Sequence, residues 1–382
     1  MADVALPSRA ALADERSPVR HIDLSLAACG ILLSIYGVLM IYSATNKSLV
    51  QFGQDPALYL KKQVIFLVLG VIALVVLAAL DYRLLKLYAP FFYIGMLALL
   101  LLVQTPLGTA AKGAQRSFSV AGFQFSPSLF TRLALILMLA AMLSEVKRDL
   151  TLRDVFRATG LALIPMLLVF IQPDLGTTIV LSAVLATLLL VSGAKARYLV
   201  TLVLIAGVGF IGALQLHIVK DYQVQRIVSF LDPKSADAQR AGYNKQQAEI
   251  AIGAGGMTGR GYLHGTQTNL DFVPEQHTDF IFTVVGEELG FLGGLVLLTL
   301  FSVVLWRAYR IALMARDPFG TFAAAGIAGY FAIQVFINVG MTIGIMPITG
   351  IPLPFISYGG SALIADLMAL GVLESIHMRR FL

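Results

Sequence analysis

The chain has 382 residues, of which 58% are hydrophobic and 13% charged, with a net charge of +6 and a mean hydropathy of +0.83. That composition lies far outside the range of water-soluble domains, so an integral membrane protein is expected. The positive charge is not gathered into a separate basic domain, which argues against nucleic acid as a partner.

A bilayer core about 30 Å thick takes roughly 20 apolar residues per helical span. Such runs recur at 24–44, 63–80, 88–104, 128–144, 155–171, 175–192, 198–217, 278–304, 320–345 and 357–377. They are continuous and lack a period of two, so the expectation is an all-α polytopic bundle of about ten transmembrane helices and not a β-barrel. Pro165, Pro173, Pro347, Pro352 and Pro354 predict kinks, span ends or re-entrant backbone.

The first run follows a polar tail, 1–23, and is too long for a signal-peptide core, so it is expected to stay as an anchor, with 24–382 forming one membrane domain. Cys29 stands alone within it and reads as a small core residue. With the N-terminus inside, the cytoplasmic connections collect 16 of the 28 lysines and arginines. Lys47, Lys61, Lys62, Lys112, Arg116 and Arg132 fall on the outward side. Both termini are then cytoplasmic, and the long loop 218–277 faces outward. Trp306 falls where an interfacial anchor belongs, and the five histidines, 21, 217, 264, 277 and 377, show no metal-ligand spacing.

Within the outward loop, "YNKQQAEIAIGAGG" predicts a short interfacial helix stopped by glycines. Six glycines from 253 to 265 follow neither a strand nor a Walker pattern, so flexible backbone near a lipid-linked substrate is favoured over nucleotide binding. The loop runs into "PEQHTDFIFTVVGEELGFLG" at 274–293. A helix beginning near His277 would place Asp279, Thr283, Gly286 and Gly290 on one stripe, with Glu287 about 80° away and Glu288 pointing the opposite way. By spacing alone Asp279 reads as a first-turn aspartate complementing the helix dipole. Glu287 and Glu288, deeper and costly to insert, read as separate packing or cavity residues.

Three segments carry a resemblance: the loop from "AGYNKQQAEIAIGAGG" through "HTDFIFTVVGEELGFLG", then "IQPDLGTTIVL", and "NVGMTIGIMPITGIPLPFISYGGSALI". Together they resemble the RodA/FtsW (SEDS) family of peptidoglycan glycosyltransferases over nearly the whole chain, and "GTQTNLDFVPEQHTDF" resembles the RodA branch of cell elongation. The resemblance implies polymerisation of lipid II into β-1,4-linked glycan at the outer face of the bacterial cytoplasmic membrane. It implies a class B penicillin-binding protein and other elongation-complex proteins as partners. The family's catalytic aspartate corresponds to Asp279, as general base.

A diphosphate leaving group calls for cations, and the candidates are Arg116 first, in "GAQRSF", then Arg132, Lys47 and Lys112. Interfacial snorkelling is the plainer reading of each. His277 belongs to the same H-T-D-F motif, and Asp174 is either a helix cap or a polar contact of the site. Two positions depart from the family pattern: Ser117 replaces a tryptophan, and Leu129 replaces a glutamate associated with a divalent cation, Mg or Mn. Leucine has no oxygen for a hard cation, which puts that metal in question. A flippase or transporter of the lipid-linked precursor, or a weakly active scaffold of the elongation complex, are the alternatives.

Overall fold

The structure is a computed structural model that describes residues 21–111, 114–120, 123–146, 149–215, 242–270 and 272–380. The tail before residue 21, Lys112 and most of the loop's first half, 216–241, lie outside the described residues.

In chain order the elements are α1 (Leu24–Gln51), α2 (Leu58–Ala79), α3 (Tyr82–Leu102), strands β1 (Thr109–Ala111), β2 (Ala114–Val120) and β3 (Phe123–Phe125), and α4 (Pro127–Ser144). Then come α5 (Leu152–Ile171), α6 (Leu175–Val191), α7 (Ala196–Gln215), α8 (Tyr243–Gly255), α9 (Thr266–Asn269), α10 (Ile281–Met314), α11 (Pro318–Thr342) and α12 (Gly360–Met378). Among the described residues eight of these helices are long and apolar enough to cross a membrane, and α6 and the first part of α7 are shorter apolar helices. These ten account for the ten expected spans, and the predicted loop helix is α8. Sequence reading missed the small antiparallel sheet β1–β2–β3 between α3 and α4.

Aspartates set several helix starts: the carboxylates of Asp23, Asp81, Asp174 and Asp317 accept from the N–H of Leu26, Arg83, Thr177 and Gly320. Pro318 then occupies the first turn of α11, where its missing N–H costs nothing. Pro90 and Pro165 are carried inside α3 and α5, whereas Pro173 sits in the turn before α6.

α12 is the centre of the bundle, buried over almost its whole length, and packs along α2, with α4 and α11 the next most enclosed. α2 and α3 turn apolar faces outward through residues such as Val68, Ile72, Val75, Phe91 and Ile94, as surfaces facing lipid would. At one end the start of α1 meets the end of α12, where Asp23 N–H donates to Glu374 Oε2 at 3.0 Å. Arg307 of α10 pairs with the Asp23 carboxylate there. The starts of α2, α4 and α12 lie at the opposite end.

Two stretches of non-helical backbone interrupt the bundle. α10 breaks at Gly290, whose φ is 65°. In an unbroken helix the carbonyls of Glu287 and Glu288 would accept from the N–H of Phe291 and Leu292. Here those carbonyls accept from Arg260 and Gly261 at 3.0 and 2.9 Å, while Phe291 and Leu292 donate to the carbonyls of Gly256 and Met257 at 2.9 and 3.1 Å. The loop is spliced into the helix, and these four backbone groups freed by the break are satisfied by it. A Cβ on Gly255, Gly259 or Gly290 would overlap the facing backbone. Of the six loop glycines, Gly255 and Gly259 therefore serve backbone packing against α10.

The second stretch, 343–359, joins α11 to α12 and buries Ile351, Leu353, Phe355 and Ile356 in the bundle. It carries Pro347, Pro352 and Pro354, as the re-entrant expectation requires. Asp366 of α12 holds it, accepting from the Phe355 N–H at 3.2 Å and from the Tyr330 hydroxyl.

Candidate functional site

A cavity of about 400 Å³ opens at the end of the bundle away from the start of α1 and the end of α12. Its wall draws on the start of α2 (Tyr59, Lys62, Phe66), on Phe123 and Gln124 of β3, on Ser126 and Leu129 at the start of α4, on Glu275, His277 and Thr278, and on residues 358–361. The segments meet through specific bonds. Tyr358 N–H donates to the His277 carbonyl at 2.9 Å, Ser126 N–H to Ser361 Oγ at 3.1 Å, and Ser361 Oγ to the Gln124 carbonyl at 3.0 Å.

Asp279 directly follows two wall residues and is half-buried. It is not in the first turn of a helix: α10 starts at Ile281, and Asp279 lies in the preceding turn, its N–H donating to the Glu275 carbonyl at 3.1 Å. The helix-dipole reading is thereby corrected, as is the stripe, since α10 breaks at Gly290. Asn338 Nδ2 donates to the carbonyls of both Asp279 and Ile351 at 2.8 Å, clamping the aspartate's backbone to the 343–359 segment. Glu275, which opens this turn, holds φ at 56°, a strained value for a non-glycine residue.

Glu287 and Glu288 are both fully buried and share one task, contrary to the helical-wheel reading. The Glu287 carboxylate accepts from Thr266 Oγ1 and the Gln267 N–H on Oε1, and from the N–H and Oγ1 of Thr268 on Oε2, at 2.7–3.1 Å. Glu288 accepts from Ser43 Oγ at 2.6 Å and from the Leu263 N–H at 3.2 Å. Both carboxylates pin loop 263–268 against the bundle, and Gln276 continues the seam by donating to the carbonyls of Ala44 and Thr268.

The expected cations separate. Arg132 is 2% exposed, inside the bundle, donating to Gln334 Oε1 at 2.9 Å and Thr177 Oγ1 at 3.0 Å, with its guanidinium 5.8 Å from the Tyr330 ring centre. It neither snorkels nor lines the cavity. Arg116 donates through Nε to the Gln172 carbonyl at 2.8 Å and through Nη2 to the Pro173 carbonyl, tying the sheet to the turn before α6. Asp174 in that turn is a helix cap, accepting also from Thr177 Oγ1 at 2.9 Å. Lys47 lines a different cleft with Tyr42, Asn46 and Gln51. Lys112 lies outside the described residues. Among the described residues the cation in the cavity wall is Lys62, which sequence reading put on the outward side without selecting it.

Of the two departures, Leu129 lies in the cavity wall, whereas Ser117 is buried in the sheet. The wall offers Glu275 and His277 but no third acidic, histidine or cysteine ligand, and no group of three or more that could hold a metal occurs among the described residues. A cation such as Mg, which keeps several waters and binds substrate phosphates, would find one wall carboxylate among the described residues, Glu275.

The chain is 39% identical over 361 residues to the peptidoglycan glycosyltransferase MrdB of Escherichia coli strain K12, covering 94% of each. Its fold matches, at a TM-score of 0.80 and 30% identity, a chain of a peptidoglycan synthase complex described for the coordination of polymerization and crosslinking, covering 94% of this chain and 98% of that one. It also matches the crystal structure of the rod shape determining protein RodA of Thermus thermophilus, at a TM-score of 0.69 and 29% identity over 94% and 98% of the two chains. The family model for FtsW, RodA and SpoVE, described as a cell cycle protein, matches residues 23–381, and the chain belongs to that family.

Proposed function

We propose that the protein is a membrane peptidoglycan glycosyltransferase of the RodA type, polymerising lipid II into β-1,4-linked glycan during cell elongation. The observation that carries this is the cavity, whose wall is assembled from chain segments far apart in sequence and includes His277 and Thr278, the two residues before Asp279. Its placement at the end away from the start of α1 puts it at the outer face when both termini are cytoplasmic, as the lysine and arginine distribution favours.

In this reading Asp279 removes the proton from the acceptor sugar's 4-hydroxyl as that oxygen attacks the donor's anomeric carbon. The bond from that carbon to the diphosphate oxygen breaks, and undecaprenyl diphosphate leaves with the electron pair. An α-linked donor thereby becomes a β-linkage, which needs one base on the attack face. The Asn338 clamp and the bond to Glu275 hold the aspartate's backbone in place, so little reorganisation is needed during reaction. Lys62 is the wall cation available to the departing diphosphate. A class B penicillin-binding protein within the elongation complex would crosslink the product, a pairing supported by the likeness to a chain of a peptidoglycan synthase complex.

The test is incubation of the purified protein and its transpeptidase partner with lipid II, followed by separation of the glycan products. Asp279→Asn keeps the shape and removes the base, and should lower polymer formation by about 10²-fold or more. Undiminished polymer from that variant overturns the role of Asp279.

A further inference from the structure

Three of the cavity's wall residues are rings in mutual contact. Tyr59 and Tyr358 lie edge to face with centroids 4.8 Å apart, His277 is 5.2 Å from Tyr59 and 5.7 Å from Tyr358, and each ring remains partly exposed. They come from the start of α2, the turn before α10 and the segment before α12, and the bond from the Tyr358 N–H to the His277 carbonyl locks two of those segments together. Neither tyrosine hydroxyl has a hydrogen-bond partner among the described residues. The cavity thus joins a pre-assembled aromatic surface with two free hydroxyls to a cation, Lys62.

A pyranose with equatorial hydroxyls has an apolar face of axial C–H bonds and a rim of hydroxyl donors and acceptors. An aromatic ring meets that face with its own electron-rich one, and a tyrosine hydroxyl at its edge meets the rim. A lipid chain would gain from a ring but leave both hydroxyls unsatisfied, and a bare diphosphate would gain nothing from the ring face. We propose that Tyr59, His277 and Tyr358 form a sugar-stacking platform that seats a hexose ring of the lipid-linked substrate beside Asp279. The platform rests on the glycosyltransferase reading and deepens it: the rings recognise the saccharide, and Lys62 the diphosphate.

The experiment measures affinities of the full-length protein with its partner for two probes, lipid II and sugar-free undecaprenyl diphosphate. With the platform intact, the protein should prefer lipid II. Tyr59→Leu and Tyr358→Leu should each weaken lipid II binding about tenfold and leave the sugar-free lipid within about twofold, while Tyr59→Phe, which keeps the ring and loses only the hydroxyl, should weaken lipid II binding by a smaller factor. The sugar-free lipid reports on folding, and where one leucine variant fails to fold the other carries the test. Absence of that preference with the platform intact, equal weakening of both lipids in both leucine variants, no weakening in either, or a loss in Tyr59→Phe as large as in Tyr59→Leu overturns the platform. Every protein in this comparison carries Asp279→Asn, so that lipid II is bound but not consumed, and failure of the glycosyltransferase reading shows in the separate polymer assay and leaves this ratio to be judged by itself.

Discussion

Arg132 illustrates how far a residue's surroundings decide its part. A basic side chain at the outward edge of a span reads as a headgroup-level cation, yet its guanidinium is enclosed and engaged by Gln334 and Thr177, and Thr177 is engaged in turn by Asp174. Its contribution is to join α4, α6 and α11. Arg132→Met should therefore destabilise the purified protein by about 2 kcal/mol, the loss of hydrogen bonds to a buried charged group, and leave the KM for lipid II unchanged. A raised KM without loss of thermal stability would return Arg132 to the substrate site. Lys62 shows the reverse: one residue of a Lys-Lys pair at the start of α2, it is singled out by no local pattern, and only the convergence of four chain segments puts it in the wall.

At the scale of elements, the break in α10 and the loop spliced into it form one unit. The two carboxylates of that helix, costly to bury, are satisfied by loop hydroxyls and backbone N–H groups. Glu287→Gln replaces one acceptor oxygen by an amide that meets donors already pointing at it. Amide hydrogen exchange at residues 266–268 should accelerate at least about tenfold, with exchange in α12 unchanged. Unaltered exchange at those three residues would show that Glu287 does not hold the loop. The helical pattern of 278–304 was readable from hydropathy, and its interruption was not. Gly290 is one glycine among several, and its positive φ becomes favourable only because Gly255 and Gly259 let a second backbone come into contact.

Across the whole molecule, the start of α1, α10 and the end of α12 are closed on one another by Asp23, Arg307 and Glu374. Burial pushes the Asp23 carboxyl up, but hydrogen bonds from Ser25, Arg307 and the Leu26 N–H, with the arginine's charge, outweigh it and hold its pKa below the usual aspartate value. A carboxylate whose folded pKa is depressed contributes stability that is fully present above its unfolded pKa of about 3.9 and is lost as pH falls through the folded pKa. The melting temperature of wild type should therefore fall more steeply below about pH 4 than that of Asp23→Asn, which should start lower at neutral pH. Parallel acid limbs for the two proteins would exclude this closure as a source of acid sensitivity.

Hydropathy and charge alone determine that this is a polytopic helical membrane protein with about ten spans, because burial in lipid acts on each span separately and leaves its mark in consecutive residues. Motif resemblance adds the family, and with it Asp279 as the residue to watch. The tertiary structure decided which cations reach the site, that Glu287 and Glu288 serve one loop, and that Tyr59, His277 and Tyr358 stand together. Each of these depends on contacts between segments far apart in the chain, and pairwise geometry of that kind leaves no periodicity in a single sequence to be read.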